Sequence, residues 1–172
     1  MPIPYQKFLL IAEAWWAWHM LGGLANTLAL FGVAVATCLL APVRGAVWAT
    51  VGATLTAVGG AAFGAGLAAE AASYAYAADL HSEELLTHVT EHPERYVTVI
   101  LPGLALMTLG AIVISVALWR ARTVPLWVPI TLLAGTVLPL VTPWSTAGSV
   151  IGLAATVATV AIGWYAWRPT SI

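Results

Sequence analysis

The segment AVWATVGATLTAVGGAAFGAGLAA, residues 46–69, is the strongest indication of the fold class, because none of its 24 residues is charged. A helix that crosses a membrane needs about 20 consecutive apolar residues. A helix that is apolar on every side has no face that water can solvate, so it must be buried in protein or in lipid. The stretch therefore predicts a transmembrane helix.

The composition of the whole chain agrees with that prediction. Of the 172 residues, 61% are hydrophobic and 8% are charged, whereas a soluble domain is about 25% charged. A lipid bilayer is therefore the expected partner. The six Lys and Arg residues form no basic stripe, so nucleic acid is not an expected partner. Cys38 is the single cysteine, which excludes an internal disulfide.

Further apolar segments indicate an all-α integral membrane bundle in a single domain, 1–172, with about five transmembrane helices. The predicted spans are 19–40, 46–69, 97–119, 124–141 and 146–167. Residues 5–18 are interpreted as an interfacial or protruding helix, with a bend at Gly22 and Gly23. The second helix should continue to about residue 78. In the third span, Pro102 should fall in the first turns, where it is tolerated.

The fourth span is the weakest of the five. Its 18 residues barely cross a bilayer, and they include Pro125, Pro129 and Pro139. A version with four spans, in which this segment is re-entrant, therefore stays open.

The expected orientation follows from the basic residues, because cytoplasmic loops carry the excess of Lys and Arg. With five spans, four basic residues lie on one side of the membrane and two, Lys7 and Arg95, lie on the other. The four are Arg44, Arg120, Arg122 and Arg168. We therefore expect a multi-pass protein of the plasma membrane whose polar loop, residues 79–95, is extracytoplasmic.

The polar loop should contain a short amphipathic helix on the membrane surface, between the second and third spans. Ser82 is a favourable N-cap, and acidic residues follow it in the first turn. One stripe of this helix carries candidate metal ligands, because side chains four residues apart can reach the same ion. The candidates are Glu84, His88, Glu91 and His92 on the stripe, and His81 at its upstream edge.

Three interpretations of this stripe are open: a site for a divalent metal, a pH sensor based on histidine protonation, and a solvated face of the only long loop. Residues 88–92 also match the pattern H-x-x-E-H of one group of zinc peptidases. We exclude a peptidase, because no Asp or Glu follows Glu94 to supply a further ligand.

A second candidate site lies near the start of the first span. Aromatic side chains with a few polar groups are typical of small-ligand sites, and such residues also form ordinary interfacial belts. The expected pocket residues are Glu13, Trp15, Trp16, His19, Asn26, Glu70 and Trp144. Haem at the outer edge, held by His19 and a loop histidine, is less expected than a divalent metal, because His19 is the only histidine in a span.

Three functions follow from these features. The favoured one is a non-enzymatic accessory protein or complex subunit, which packs against other membrane subunits or a second copy through small residues such as Gly60 and Gly64. The same residues are also explained by packing within one bundle. The alternatives are a small-molecule binding or transport module with an outward pocket, and a metal- or haem-binding protein. An enzyme is not favoured, because no nucleophile and base form a plausible pair.

Overall fold

The structure, a computed structural model, describes the backbone of residues 5–141 and 146–168 and the side chains of 14–138 and 153–168. The helices are α1 (Tyr5–Leu40), α2 (Ala46–Asp79), α3 (Glu83–Glu91), α4 (Glu94–Ala121), α5 (Trp127–Val141) and α6 (Thr146–Trp167). The described residues contain no strand, which confirms the predicted all-helical class.

Three helical stretches are long and apolar enough to cross a membrane: Ala14–Leu40, Ala46–Asp79 and Glu94–Ala121. They expose large apolar side chains, such as Leu28 with 63% of its surface accessible and Val47 with 75%. These features indicate a membrane protein, as the composition predicted. The apolar stretches Trp127–Leu138 and Leu153–Trp167 are shorter, so a total of five spans stays a prediction.

Helix α1 includes both the residues expected as an interfacial or protruding helix and those of the first predicted span. It is one continuous helix of 36 residues, and Gly22 and Gly23 lie inside it without a helix end. At a rise of 1.5 Å per residue it is about 54 Å long, which exceeds the hydrocarbon thickness of about 30 Å. Helix α2 ends at Asp79, close to the expected residue 78.

Proline affects α4 and α5 in different ways. The sequence predicted that Pro102 lies in the first turns of its helix. Because α4 begins at Glu94, Pro102 is instead its ninth residue. Pro102 removes one hydrogen bond from the helix interior, which membrane helices tolerate.

Helix α5 begins at Trp127 and not at residue 124, so Pro125 precedes the helix. Pro129 lies in its first turn, where the backbone N–H groups have no partner within the helix and proline is therefore tolerated. Its 15 residues cover about 22 Å.

The chain divides into two compact units. Unit 1 contains Met1–Leu28 and Gly60–Leu104, and unit 2 contains Ala29–Gly59 and Ala105–Ile172. Unit 2 has a buried apolar core that includes Ile114, Leu118, Val128, Leu132 and Ile162. Within this unit α2 and α4 approach closely at glycines, since a Cβ on Gly52 would lie 2.9 Å from the backbone nitrogen of Ile114.

Candidate functional site

A close contact between α1 and α2 within unit 1 positions the candidate site. A Cβ on Gly64 would lie 3.0 Å from the carbonyl oxygen of Gly23, so the two backbones meet at these glycines. The Thr27 hydroxyl lies 2.8 Å from the Gly23 carbonyl oxygen and 3.1 Å from that of Gly60, and it donates toward both acceptors. Close approach and dispersion hold helices together in lipid, where no hydrophobic drive acts between them.

Beyond this contact, five side chains of unit 1 form what we call the aromatic–carboxylate cluster: Trp15, His19, Glu70, Tyr74 and Tyr96. The rings of Trp15 and His19 are stacked, with centroids 4.4 Å apart. The centroids of Trp15 and Tyr74 are 6.0 Å apart and their planes are tilted by 59°. The hydroxyls of Tyr74 and Tyr96 share a hydrogen bond. The cluster thus joins α1, α2 and the first turn of α4.

Glu70 and His19 are the ionisable pair of this cluster. Glu70 is half-buried, and its carboxylate interacts electrostatically with His19, although no His19 nitrogen lies within 4.0 Å of it. In the described part of the chain, no Lys or Arg nitrogen lies within 4.0 Å of this carboxylate. A carboxylate in partly apolar surroundings is costly unless a positive group or hydrogen bonds compensate it.

The His19 ring has a defined hydrogen bond. Its Nδ1 lies 2.9 Å from the Trp15 carbonyl oxygen. A carbonyl oxygen only accepts, so Nδ1 must carry a proton and donate it. The other ring nitrogen, Nε2, accepts when the imidazole is neutral and donates when it is protonated.

Two donors on the same stripe of α1 are buried and have no acceptor among the described residues: Nε1 of Trp15 and Nδ2 of Asn26. An unsatisfied buried donor costs about 1–3 kcal/mol. An acceptor that reaches such a donor would therefore stabilise the protein. The Trp15 donor belongs to the aromatic–carboxylate cluster.

The predicted pocket is reproduced only in part. The structure brings Trp15, His19 and Glu70 together, and it places Asn26 further along α1. Trp16 is 45% exposed. Glu13 and Trp144 lie outside the residues whose side chains the structure describes.

Tyr74 and Tyr96 join the cluster although they are not among the expected pocket residues. Tyr74 had a local signal, since it lies four residues after Glu70, on the same helix face. Tyr96 belongs to another helix, and no local pattern connects it with Glu70.

The predicted N-cap of α3 is present, because the backbone N–H of Leu85 donates to the Ser82 hydroxyl oxygen at 3.1 Å. The rings of His88 and His92 have centroids 4.6 Å apart. His92 is the C-cap, and its Nδ1 lies 3.1 Å from an oxygen of the Glu94 carboxylate.

His81 lies in the turn that precedes α3, with a φ of 48°. Among the side chains described, no three of His, Cys, Asp or Glu are close enough to hold a metal ion. Metal binding by this stripe therefore stays a prediction.

Comparisons of this chain with protein-family models, with curated proteins and with solved structures gave no match. Inferences about its function therefore rest on its own residues.

Proposed function

We propose that this chain is a membrane-embedded module that binds or transports a small molecule, and that the aromatic–carboxylate cluster of unit 1 is its binding site. One observation carries the proposal: the half-buried carboxylate of Glu70 interacts electrostatically with His19 and Tyr96, in a cluster whose aromatic rings come from three helices.

The chemistry of the cluster supports this function. Ionisable side chains inside a membrane protein are costly, and they commonly mark substrate or ion pathways. Aromatic walls with a few converging polar groups are typical of small-ligand sites. All five residues belong to unit 1, so the site does not depend on the arrangement of the two units.

Thermal unfolding of the purified protein in lipid nanodiscs tests this function. The midpoint is measured with panels of small cationic, neutral and anionic molecules. A ligand that binds only the folded state stabilises it by about 2.7 kcal/mol at a concentration a hundredfold above its Kd. We expect at least one compound to raise the midpoint, and we expect Glu70→Gln and Tyr96→Phe to abolish that increase.

The matched control is Tyr76→Phe, because Tyr76 lies on the same helix as Tyr74 and is 67% exposed. This variant should respond to the ligand as the wild type does. The proposal is wrong if no compound of any charge class raises the midpoint, or if the increase survives both cluster variants.

An accessory or subunit role is the second candidate, favoured by the outer face of α1 in unit 1. This face forms an apolar groove of about 330 Å³, lined by Ala14, Ala17, Trp18, Leu21, Gly22 and Ala25. A Cβ on Gly22 would meet no atom within 4 Å. Small exposed residues permit a second helix to approach closely. By contrast, Gly64 already packs against Gly23 of the same chain.

Cross-linking in native membranes tests the subunit role. Ala25→Cys is introduced together with Cys38→Ala, which removes the exposed native cysteine. A specific cross-link, to a second copy or to one identified membrane protein, is expected, and adding Gly22→Leu should abolish it. An absence of any cross-link at Ala25→Cys would reject this role.

A further inference from the structure

We infer that the ligand of the aromatic–carboxylate cluster is an organic cation of the choline type, which combines a quaternary or protonated amine with a hydrogen-bond acceptor. This inference rests on the proposed function and names the ligand class of the same site.

The charge of the cluster is the first argument. Glu70 supplies a half-buried negative charge, and in the described residues no Lys or Arg nitrogen lies within 4.0 Å of it. Its ionisable neighbours are the imidazole of His19, which has no nitrogen within 4.0 Å of the carboxylate, and the phenols of Tyr74 and Tyr96, which carry no positive charge. A ligand that brings its own positive charge would compensate the carboxylate, whereas an anionic ligand would be repelled.

The aromatic rings distinguish an organic cation from a metal ion. A cation is attracted to the face of an aromatic ring, most strongly to Trp, and rings of this kind recognise quaternary ammonium groups. The centroids of Trp15 and Tyr74 are 6.0 Å apart and their planes are tilted by 59°, so a cation would bind beside this ring pair and not between the two rings. A divalent metal needs several oxygen or nitrogen ligands, and the structure brings no such group together in its described part.

The buried indole N–H of Trp15 indicates that the ligand also carries a hydrogen-bond acceptor. It has no acceptor among the described residues, and His19 covers one face of its ring, with centroids 4.4 Å apart. The hydroxyl of choline, which is attached two carbons from the quaternary nitrogen, is an acceptor of suitable size. A simple tetraalkylammonium ion would satisfy the carboxylate and leave this N–H unsatisfied.

Three probes on the wild-type protein test the inference without any variant. These are choline, its neutral isostere with carbon in place of the quaternary nitrogen, and tetramethylammonium. Binding is measured by titration calorimetry in nanodiscs of phosphatidylglycerol, which has no cationic headgroup. Choline should bind at least about tenfold more tightly than the neutral isostere, and tetramethylammonium should bind more weakly than choline.

Variants then assign the binding to the cluster. Glu70→Gln should weaken choline binding by about tenfold or more, because it removes the charge and keeps the shape. Trp15→Phe should reduce the advantage of choline over tetramethylammonium, because it removes the N–H and retains an aromatic ring. Tyr76→Phe and Trp18→Phe are the matched controls, since Tyr76 is 67% exposed and Trp18 is 78% exposed. Both should bind as the wild type does.

Nanodiscs of phosphatidylcholine distinguish the two sources of this ligand. If the site takes a lipid headgroup, titration calorimetry should detect no binding of free choline in these discs, because the lipid occupies the site. If the site takes a free cation, choline should bind in these discs as it does in phosphatidylglycerol. Either result agrees with a choline-type ligand.

The inference is overturned if the neutral isostere binds as tightly as choline, or if Glu70→Gln leaves the affinity for choline unchanged. If a neutral or anionic compound binds and its binding is lost in the cluster variants, the proposed function stands and only the ligand class is wrong. If no compound of any class binds, both proposals fail.

Discussion

At the scale of single residues, the glycines of this chain have different surroundings although their local sequences are alike. Gly64 and Gly110 lie where a Cβ would collide with a neighbouring helix, whereas a Cβ on Gly22, Gly32 or Gly163 would meet nothing within 4 Å. The first kind permits two backbones to approach, and the second kind lies on exposed faces. Substitutions at the two kinds should therefore affect stability differently.

Gly64→Leu should destabilise unit 1. A Cβ at this position would collide with the Thr27 hydroxyl and lie 3.0 Å from the Gly23 carbonyl oxygen. Overpacking of this kind costs about 1–3 kcal/mol, so the thermal midpoint in detergent should fall. Gly22→Leu adds the same side chain where no atom lies within 4 Å, and its midpoint should match the wild type. Equal losses in the two variants would contradict the helix contact.

Gly110→Ala should destabilise unit 2, although alanine favours helices more than glycine does. A Cβ on Gly110 would lie 2.7 Å from the backbone nitrogen of Thr56 and 3.0 Å from the Gly52 carbonyl oxygen. Backbone atoms cannot move aside without separating the two helices. The free energy of unfolding should fall by about 1–3 kcal/mol, measured by denaturant titration in micelles. Gly163→Ala is the control, and it should cause no loss.

At the scale of elements, α3 depends on its cap because the helix has only nine residues. Short helices are marginal in isolation. The Ser82 hydroxyl satisfies the N–H of Leu85, and the acidic Glu83 and Glu84 lie in the first turn, where the helix dipole favours them.

Ser82→Ala should fray α3, because the N–H of Leu85 loses its acceptor. The cost of such a loss is about 1 kcal/mol. Hydrogen exchange of the amides of residues 83–91 should accelerate about fivefold, which is that energy expressed as a rate ratio. Thr87→Ala removes a hydroxyl that donates to the Glu83 carbonyl within the helix, and it should leave the exchange rates nearly unchanged. Protection that is retained in Ser82→Ala would show that the cap is not needed.

At the scale of the whole molecule, the number of spans depends on α5. Its 15 residues cover about 22 Å, less than the hydrocarbon thickness of about 30 Å. Five spans and four spans with a re-entrant α5 place the end of α6 on opposite sides of the membrane. The side of Arg168 therefore distinguishes the two topologies.

Labelling of single cysteines with a membrane-impermeant maleimide in intact cells tests this topology, with Cys38→Ala as the background. Glu91→Cys should be labelled from outside, whereas Arg122→Cys should be labelled only after lysis. Arg168→Cys should also be protected if α5 crosses the membrane, as five spans require. Labelling of Arg168→Cys in intact cells would favour four spans, and labelling of Arg122→Cys but not Glu91→Cys would reverse the expected orientation.

The sequence alone determined that this is an all-helical membrane protein, because long uncharged runs and local caps act within one helix. Residues 46–69, the Ser82 cap and the range 146–167 of α6 were predictable in this way. The start of α5 was less so, because the apolar run begins at residue 124 and proline is tolerated in the first turn of a helix, so the pattern did not indicate that α5 begins at Trp127.

The tertiary structure alone decided which side chains meet. These helices are apolar on nearly every side, so hydrophobic periodicity does not indicate which face packs against a neighbour. In lipid, helix contacts depend on local shape and hydrogen bonds, which involve residues distant in the sequence. Helix packing brings Gly23 close to Gly64, and no local sequence pattern indicates this contact. The same is true of the cluster that contains Trp15, Glu70 and Tyr96.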